Sequence, residues 1–375
     1  MSKPTLKQLP NLDSVRALAA LIVVVSHIEL QKMELGLPHI RPVVRNFGSI
    51  GVTIFFVLSG FLITYLLTLE HTGKGKISIG NFYLRRILRI WPLYFVVLLF
   101  GAFVYPGHVE TSALWLSAFF LPNIAFMLEK LPGLIDPIWS LGVEEQFYLF
   151  HPHFFRQSRI KAIFNTLVGM FVFFYVLKFT ASKMHWEIVS KIMYKARFDC
   201  MMLGGITSMW LVNYLRDEPY FKTPLKPRLL FSRPVQIGLY SFYVVYLIAA
   251  VYNASLYNDQ FLSILTAGVL ANLALNPDCV ISLENKFLSF IGKISFGLYL
   301  LHKFPVELMI RSTQKWGITN VLAQNLIIYS GAVVLAIGLA YLSFTYYEAY
   351  FLKMKEKKFG LRLPSIPWRL KKATS

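Results

Sequence analysis

The sequence predicts an all-α protein, a polytopic transmembrane helical bundle of about ten spans plus one re-entrant or interfacial segment. Three observations predict this class. Hydrophobic residues make up 56% of the 375 residues and charged residues only 15%, whereas soluble domains carry about 25% charged residues. The mean hydropathy is +0.54. Apolar segments close to the roughly 20 residues that a bilayer-crossing helix needs recur along the whole chain.

The predicted spans follow from these apolar segments. By residue number they are 12–32, 47–69, 87–105, 138–155, 161–180, 198–214, 235–252, 259–275, 288–310 and 322–347. Segment 112–128 is also apolar, but Pro122 and Asn123 interrupt it, which favours a re-entrant or interfacial segment. We expect one integral-membrane domain at 1–352 and a basic cytoplasmic tail at 353–375.

The basic residues define the orientation. The net charge of +19 could indicate a nucleic-acid partner, but the basic clusters lie between apolar spans, where they determine topology. With 112–128 not crossing, most clusters fall on one side, which places both termini in the cytoplasm. Lys32, Arg41, Arg45 and the basic loop 183–197 fall on the opposite side and conflict with this model. We therefore expect membrane lipid as a partner and no nucleic acid.

The two cysteines, Cys200 and Cys279, lie far apart in the chain and have no ligand spacing. Neither a disulfide framework nor a metal site is predicted.

The first span carries one arginine, Arg16 near its start, and one histidine, His27 near its end. Eleven residues separate them, so at about 100° per residue both side chains leave the same helix face, roughly 16 Å apart along the axis. Ionisable side chains at membrane depth are costly, and two on one stripe favour a polar cavity. In the alternative interpretation, Arg16 reaches an interface and His27 is a hydrogen-bonded core residue.

The loop before the third span ends in YLRRILRIWPLY. Arg86 and Arg89 are three residues apart and share a helix face. They could serve only as topology anchors at the cytoplasmic boundary. They could also bind phosphate, because the guanidinium fork matches phosphate oxygens.

The stretch IWSLGVEEQFYLFHPHFF carries two adjacent acidic residues. Ser140 and Glu144 are one helical turn apart on one face. Glu144 and Glu145 are about 100° apart, so only one of them faces inward and the other faces a neighbouring helix or the interface. An acid inside a span needs a partner, and the arginines and the histidine described above are candidates. A purely structural ion pair is the alternative.

Two later stretches carry further polar residues. Asp199 opens a predicted span, where it caps the helix or holds a sugar hydroxyl. Ser295, Tyr299 and His302 fall on one stripe, close to Pro305, which predicts a kink. A polar stripe beside a kink is typical of a cavity wall.

Together these motifs resemble the integral-membrane acyltransferase-3 family, whose members move acyl groups, usually acetyl, onto carbohydrates. The resemblance covers roughly residues 12–350 and follows the family's order. The stretches that carry it are LDSVRALAALIVVVSH, FFVLSGFLI, LRRILRIWPLY, IWSLGVEEQFYL, RFDCMMLGG, IGKISFGLYLLHKFPV and YYE.

The resemblance implies roles for individual residues. His27 corresponds to the histidine regarded as catalytic, Arg16 belongs to the same motif, and Glu144 matches the acid of a serine–three residues–glutamate pattern. Arg86 and Arg89, with Ser140 of that pattern, are expected beside the acyl-CoA. Substrate-binding residues are expected among Asp199, Tyr299 and His302.

The resemblance also implies the substrates and the location. Acetyl-CoA is the expected donor, with no metal, and a cell-surface carbohydrate is the expected acceptor. The expected location is the bacterial inner membrane. Some family members carry an appended extracytoplasmic hydrolase-like domain that this sequence lacks, so partners in polysaccharide assembly are also considered.

The expected chemistry is acyl transfer from a thioester to a hydroxyl. The imidazole of His27 could remove the hydroxyl proton as a general base, or take the acyl group itself as an acyl-imidazole. Glu144 is expected to orient His27, by analogy with the third member of a triad. A transporter or flippase would also place charged stripes on several spans, but no inverted repeat is apparent. A non-catalytic scaffold would not explain these residues.

Overall fold

The computed structural model describes residues 9–104, 110–216, 218–221 and 227–359. Within these ranges all regular elements are helices and no strand occurs, which confirms the predicted all-α class. The α-helices are α1 Leu12–Glu34, α2 Gly48–Lys74, α3 Ile79–Val104, α4 Thr111–Ala118, α5 Pro122–Met127, α6 Ile138–Phe150, α7 Ile160–Lys183, α8 Glu187–Ala196, α9 Phe198–Leu215, α10 Pro227–Leu230, α11 Arg233–Tyr252, α12 Asp259–Leu275, α13 Lys286–Leu301, α14 Lys303–Lys315, α15 Val321–Leu342 and α16 Ala349–Phe359. A π-helical turn, Ser343–Glu348, joins the last two helices.

Five helical stretches of the described chain are long and apolar enough to cross a membrane. They are α2, the α3 stretch Ile79–Phe103, α7, α11 and the stretch Val321–Met354. The predicted number of about ten spans is therefore not confirmed. Several of the remaining predicted spans are short helices, with 13 residues in α6, 17 in α12 and 16 in α13. Most of α12 is buried, so protein rather than lipid surrounds it, and the length rule for lipid-exposed helices does not apply to it.

Helix α2 lies at the centre of the bundle, with most of its surface buried. It packs directly against α9 through glycines on both helices. A side chain at Gly204 would overlap the backbone of Val57, and one at Gly60 would overlap the backbone of Met201. Small residues allow this close approach of two helices.

Segment 112–128 forms two short helices, α4 and α5, separated by a turn. The longer one has 8 residues, which is about 12 Å at the α-helical rise, so neither helix can cross a bilayer. The side-chain amide of Gln146 in α6 donates to the Phe120 carbonyl at 2.8 Å and to Oδ1 of Asn123 at 2.8 Å. These hydrogen bonds give polar groups at the interruption a partner inside the protein, in agreement with the prediction that this segment does not cross the membrane.

The predicted span 288–310 is divided into α13 and α14 at His302. Pro305 lies in the first turn of α14, where a missing N–H costs no hydrogen bond. The irregularity predicted at Pro305 is confirmed. The predicted tail, 353–375, begins inside α16, and its residues 360–375 lie outside the described residues.

Two of the basic residues that conflicted with the predicted orientation, Lys32 and Lys195, have partners inside the protein. Lys32 is buried and pairs with Glu29 at 2.5 Å. Lys195, in the loop predicted at 183–197, lies over the rings of Phe126 and Trp139, at 4.8 Å and 5.1 Å from their centroids. Neither lysine is therefore a freely solvated charge, which removes part of the conflict with the positive-inside rule.

Candidate active site

A cavity of about 480 Å³ lies between the start of α1, most of the length of α2, the first half of α3, and helices α6 and α13. Five of its lining side chains are cationic and three are acidic, so positive charge is in excess. Six predicted site residues line it: Arg16, Arg86, Arg89, Ser140, Glu144 and Tyr299. The other polar lining residues are Asp13, Ser59, Tyr65, Glu70, Lys74, Asn81, Arg85, Tyr148 and Ser295.

The start of α1 is fixed by the residue before it. Asn11 has a left-handed φ of 63°, which asparagine tolerates better than most residues. Its side-chain amide donates to the Leu273 carbonyl at 2.8 Å, and its Oδ1 accepts from the Leu283 N–H at 2.6 Å. One turn into the helix, Arg16 pairs with Asp13 at 2.8 Å. This anchoring places the pair at the cavity wall.

Three arginines of α3, Arg85, Arg86 and Arg89, line the cavity and differ in their contacts. Arg85 pairs with Glu70 at 3.2 Å. Arg86 lies over the ring of Tyr148, 4.7 Å from its centroid. Arg86 and Arg89 make no hydrogen bond or ion pair with any residue that the structure describes. Their guanidinium donors are therefore available for an anion in the cavity.

The two adjacent glutamates of α6 point in different directions, as predicted. Glu144 faces the cavity and accepts a hydrogen bond from the Tyr148 hydroxyl at 2.7 Å. Glu145 turns towards α3 and accepts from the Trp91 indole N–H at 3.0 Å.

His27 and His302 form a hydrogen-bonded pair. Nδ1 of His27 lies 2.7 Å from Nε2 of His302, and the ring centroids are 4.9 Å apart. Nδ1 of His302 lies 2.8 Å from the Tyr299 carbonyl and 3.2 Å from that of Leu298. Carbonyls only accept, so Nδ1 of His302 carries a proton, and in the neutral ring its Nε2 is an acceptor. His27 then donates through Nδ1, which leaves the lone pair of its Nε2 free.

The structure corrects two expectations for His27. Arg16 lines the cavity, but His27 is not among its described lining residues, so the prediction that both face one cavity is wrong for this conformation. The cavity reaches Arg16 but does not extend the roughly 16 Å along α1 that separates the two side chains. The hydrogen bond of His27 runs to His302, and not to Glu144 as expected.

Tyr299 lies between the cavity and the histidine pair. Its hydroxyl is 2.6 Å from the Ser140 hydroxyl, and its ring centroid is 6.1 Å from that of His302. His302 is fully buried, whereas His27 is partly exposed. Because His27 does not line the cavity, its exposed surface lies outside that cavity.

Asp199 lies in a separate buried network. Its Oδ2 accepts from the Gln260 amide at 2.9 Å and is 3.6 Å from Nζ of Lys178. Lys178 also pairs with Asp259 at 2.5 Å, and Nε of Arg197 lies 3.7 Å from the same carboxylate. These contacts give Asp199 a structural role in linking α7, α9 and α12. Its role in acceptor binding stays a prediction.

Lys303, directly after His302, and its ion-pair partner Asp136 were not predicted from the sequence. Nζ of Lys303 donates to Oδ2 of Asp136 at 2.8 Å and to the Gly133 carbonyl at 2.6 Å. The available signal was a lysine directly after His302 inside an apolar segment, since a charge at such a position indicates an internal role.

An apolar helical bundle that holds a cationic cavity next to a fixed pair of imidazoles defines a class, the helical membrane proteins with a polar site inside the bundle. Among the described residues no group of three or more His, Cys, Asp or Glu could hold a metal ion. The family model of the acyltransferase domain, acyltransferase-3, matches residues 9–345. The chain belongs to this family.

The chain is similar to several bacterial proteins. It is 27% identical to a Staphylococcus aureus (strain MRSA252) protein provisionally named an O-acetyltransferase, over 96% of this chain and 60% of that protein. It is 27% identical to O-acetyltransferase OatA of S. aureus (strain NCTC 8325), over 82% of this chain and 52% of that protein. It is 25% identical to peptidoglycan O-acetyltransferase OatA of Listeria monocytogenes, over 80% of this chain and 49% of that protein.

The chain thus spans 49% to 60% of the length of these relatives. No solved structure matches the chain significantly.

Proposed function

We propose that this protein is a membrane O-acyltransferase that moves an acyl group, acetyl foremost, from cytoplasmic acyl-CoA to a hydroxyl of a cell-surface carbohydrate. The observation that carries the proposal is the cavity with an excess of cationic side chains, separated by one tyrosine from the His27–His302 pair.

The donor occupies the cavity in this proposal. Arg86 and Arg89 offer guanidinium groups that make no hydrogen bond or ion pair to the described protein, and the phosphates of acyl-CoA supply matching oxygens. Arg16, which pairs with Asp13, also lines the cavity. Because Arg16 lies in the cavity rather than beside His27, donor binding suits it better than stabilisation of charge at the histidine pair.

His27 performs the transfer. Its Nε2 accepts the proton of the acceptor hydroxyl while the hydroxyl oxygen bonds to the thioester carbonyl carbon and the carbon–sulfur bond breaks. The proton then passes to the departing thiolate. In the alternative sequence, Nε2 bonds to the thioester carbonyl carbon and the thiolate departs, which leaves an acyl-imidazolium; the acceptor hydroxyl then attacks the acyl carbon, the bond to Nε2 breaks, and the hydroxyl proton passes to the thiolate. In both sequences His302 fixes the tautomer that leaves Nε2 free.

The acceptor approaches from the side of His27 that lies outside the cavity. A relative named for peptidoglycan O-acetylation makes peptidoglycan the first acceptor to test. In this arrangement the hydrogen-bonded side chains of Tyr299 and Ser140 lie between the donor and the acceptor. The Tyr299 side chain therefore has to move before the thioester reaches His27.

Purified, monodisperse protein incubated with radiolabelled acetyl-CoA and solubilised peptidoglycan strands or chito-oligosaccharides tests the proposal. We expect label in the carbohydrate with wild-type protein and none with His27→Ala. Label bound to the protein in the absence of acceptor would indicate the acyl-imidazole sequence. Equal transfer by wild-type protein and His27→Ala would refute the assignment of His27.

A further inference from the structure

The cavity has an open end and a closed end. It follows α2 from Lys74 to Val52, which are 22 residues apart, or about 33 Å along the helix axis. Lys74 and Asn81 are exposed at one end, whereas Val52 and Phe56 are buried at the other. In the proposed function the cytoplasmic donor therefore enters beside Lys74, and the cavity ends beside Val52.

Aromatic side chains form the closed end. The Phe55 ring meets the Tyr299 ring edge to face, with centroids 5.6 Å apart. Next to Phe55 on α2, the fully buried Phe56 packs against Trp139, with centroids 6.4 Å apart. We call Val52, Phe55, Phe56 and Tyr299, which all line the cavity, the end wall. Because a close-packed interior accepts extra volume only at a cost, a ligand that reaches the end wall cannot extend further without displacing it.

The end wall lies beyond the cationic part of the cavity. Arg86 lies over the ring of Tyr148 on α6. Ser140, which is hydrogen-bonded to Tyr299, precedes Tyr148 by eight residues, or about 12 Å along the same helix. In acyl-CoA the acyl group is at the opposite end of the molecule from the phosphates. A donor that binds Arg86 through a phosphate therefore directs its acyl group at Phe55 and Tyr299.

We propose that Phe55 limits the length of the acyl group, so that the site accepts acetyl and rejects butyryl and longer chains. This inference rests on the proposed function, because it requires that the cavity holds acyl-CoA by its phosphates. When the Tyr299 side chain moves to admit the thioester, Phe55 stays beside the passage and the limit is kept. Val52 lies one turn from Phe55 on α2 and continues the same surface.

Calorimetric titration of full-length, solubilised protein with thioether analogues tests the limit without any transfer reaction. S-ethyl-CoA, S-butyl-CoA and S-hexyl-CoA differ only in the alkyl chain on the sulfur atom, and none of them can donate an acyl group. A closed end predicts that the affinity of wild-type protein falls from S-ethyl-CoA to S-butyl-CoA by about tenfold or more.

An end that opens or yields predicts the opposite trend. Each added CH₂ would then be buried and would raise the affinity by about fourfold. Equal or rising affinity along the series for wild-type protein would overturn the proposal.

Phe55→Ala shortens the end wall and should remove the limit. We expect the ratio of the Kd for S-hexyl-CoA to the Kd for CoA to fall by about tenfold or more relative to wild type. Val52→Ala removes less volume and should lower the same ratio for S-butyl-CoA. If Phe55→Ala does not give folded protein, the result for Val52→Ala decides.

A phenylalanine that only fills space between helices predicts a different pattern. Phe55→Ala would then yield less folded protein, and that protein would keep the wild-type order of affinities, a result that overturns the proposal. Leu66→Ala is the matched control, because Leu66 lines the same cavity on the same helix nearer the open end. It should keep the wild-type order of affinities for the three analogues.

Failure of this inference and failure of the proposed function give different results. If wild-type protein binds neither CoA nor any analogue, the cavity is not the donor site, and both fail. If it binds CoA and S-ethyl-CoA, and binds the longer analogues at least as tightly, the donor site stands and only the role of Phe55 is refuted.

Discussion

The unpaired guanidinium groups of the cavity allow a direct test of donor binding. Replacing Arg86 or Arg89 by glutamine removes the charge and keeps a polar side chain. Neither arginine makes a hydrogen bond or ion pair with a described carboxylate, so no direct partner is left exposed by the change. A charge-assisted hydrogen bond contributes about 1.5–3 kcal/mol, which corresponds to a rise of about ten- to a hundredfold in the Kd for CoA.

Calorimetric titration of the solubilised protein measures this change. CoA is the test ligand, and pantetheine, which has no phosphate, is the comparison ligand. We expect both variants to bind CoA more weakly than wild-type protein does and to bind pantetheine with unchanged affinity. Arg311→Gln is the matched control, because Arg311 is exposed on α14 and pairs with Glu307 at 2.8 Å, away from the cavity.

Two results would refute the reasoning. Unchanged CoA affinity in both variants would reduce Arg86 and Arg89 to topology anchors, the alternative that their position at a helix start also allows. If the affinities for CoA and pantetheine fell equally, the substitution would have changed the shape of the cavity rather than removed contacts to phosphate.

Three further predictions concern the histidine pair and the core. His27→Ala should lower acyl transfer by about a hundredfold or more and lower the free energy of unfolding by about 1–3 kcal/mol, because the buried Nε2 of His302 loses its hydrogen-bond partner. His302→Phe keeps a ring but not the acceptor nitrogen, and should lower turnover without changing the Kd for CoA; an unchanged turnover would remove His302 from the mechanism. Gly204→Val would press against the backbone of Val57 and should destabilise the fold by about 1–3 kcal/mol or more, whereas Gly238→Ala, with no atom within 4 Å, should unfold like wild type.

The sequence predicts which side chains of a single helix share the face that lines the cavity, because the spacing along that helix determines it. Arg86 and Arg89, three residues apart, do face one cavity, as do Ser140 and Glu144, four apart. The different directions of Glu144 and Glu145 follow from the same rotation of about 100° per residue. Each of these predictions needed only positions on a single helix.

The partners across helices could not be predicted, because they depend on packing. His27 and His302 are 275 residues apart, and no spacing rule links them. Glu144 was expected beside His27, but it accepts a hydrogen bond from Tyr148, one turn along the same helix, and the hydrogen bond of His27 runs to His302. The number of spans stays unconfirmed for a related reason, since helices such as α12 are short and largely buried in protein, so composition alone does not show whether they cross the membrane.

The separation of the cavity from the histidine pair has a chemical consequence. A thioester that met water and an activated imidazole in the same space would be hydrolysed, and excluding water from the site prevents this loss. Tyr299, held by Ser140, keeps the two apart in the described conformation. The backbone carbonyl of the same tyrosine accepts from Nδ1 of His302. In the proposed function, one residue therefore both separates the cavity from the pair and fixes the tautomer of His302, so movement of its side chain would admit the thioester while its backbone carbonyl keeps its hydrogen bond to His302.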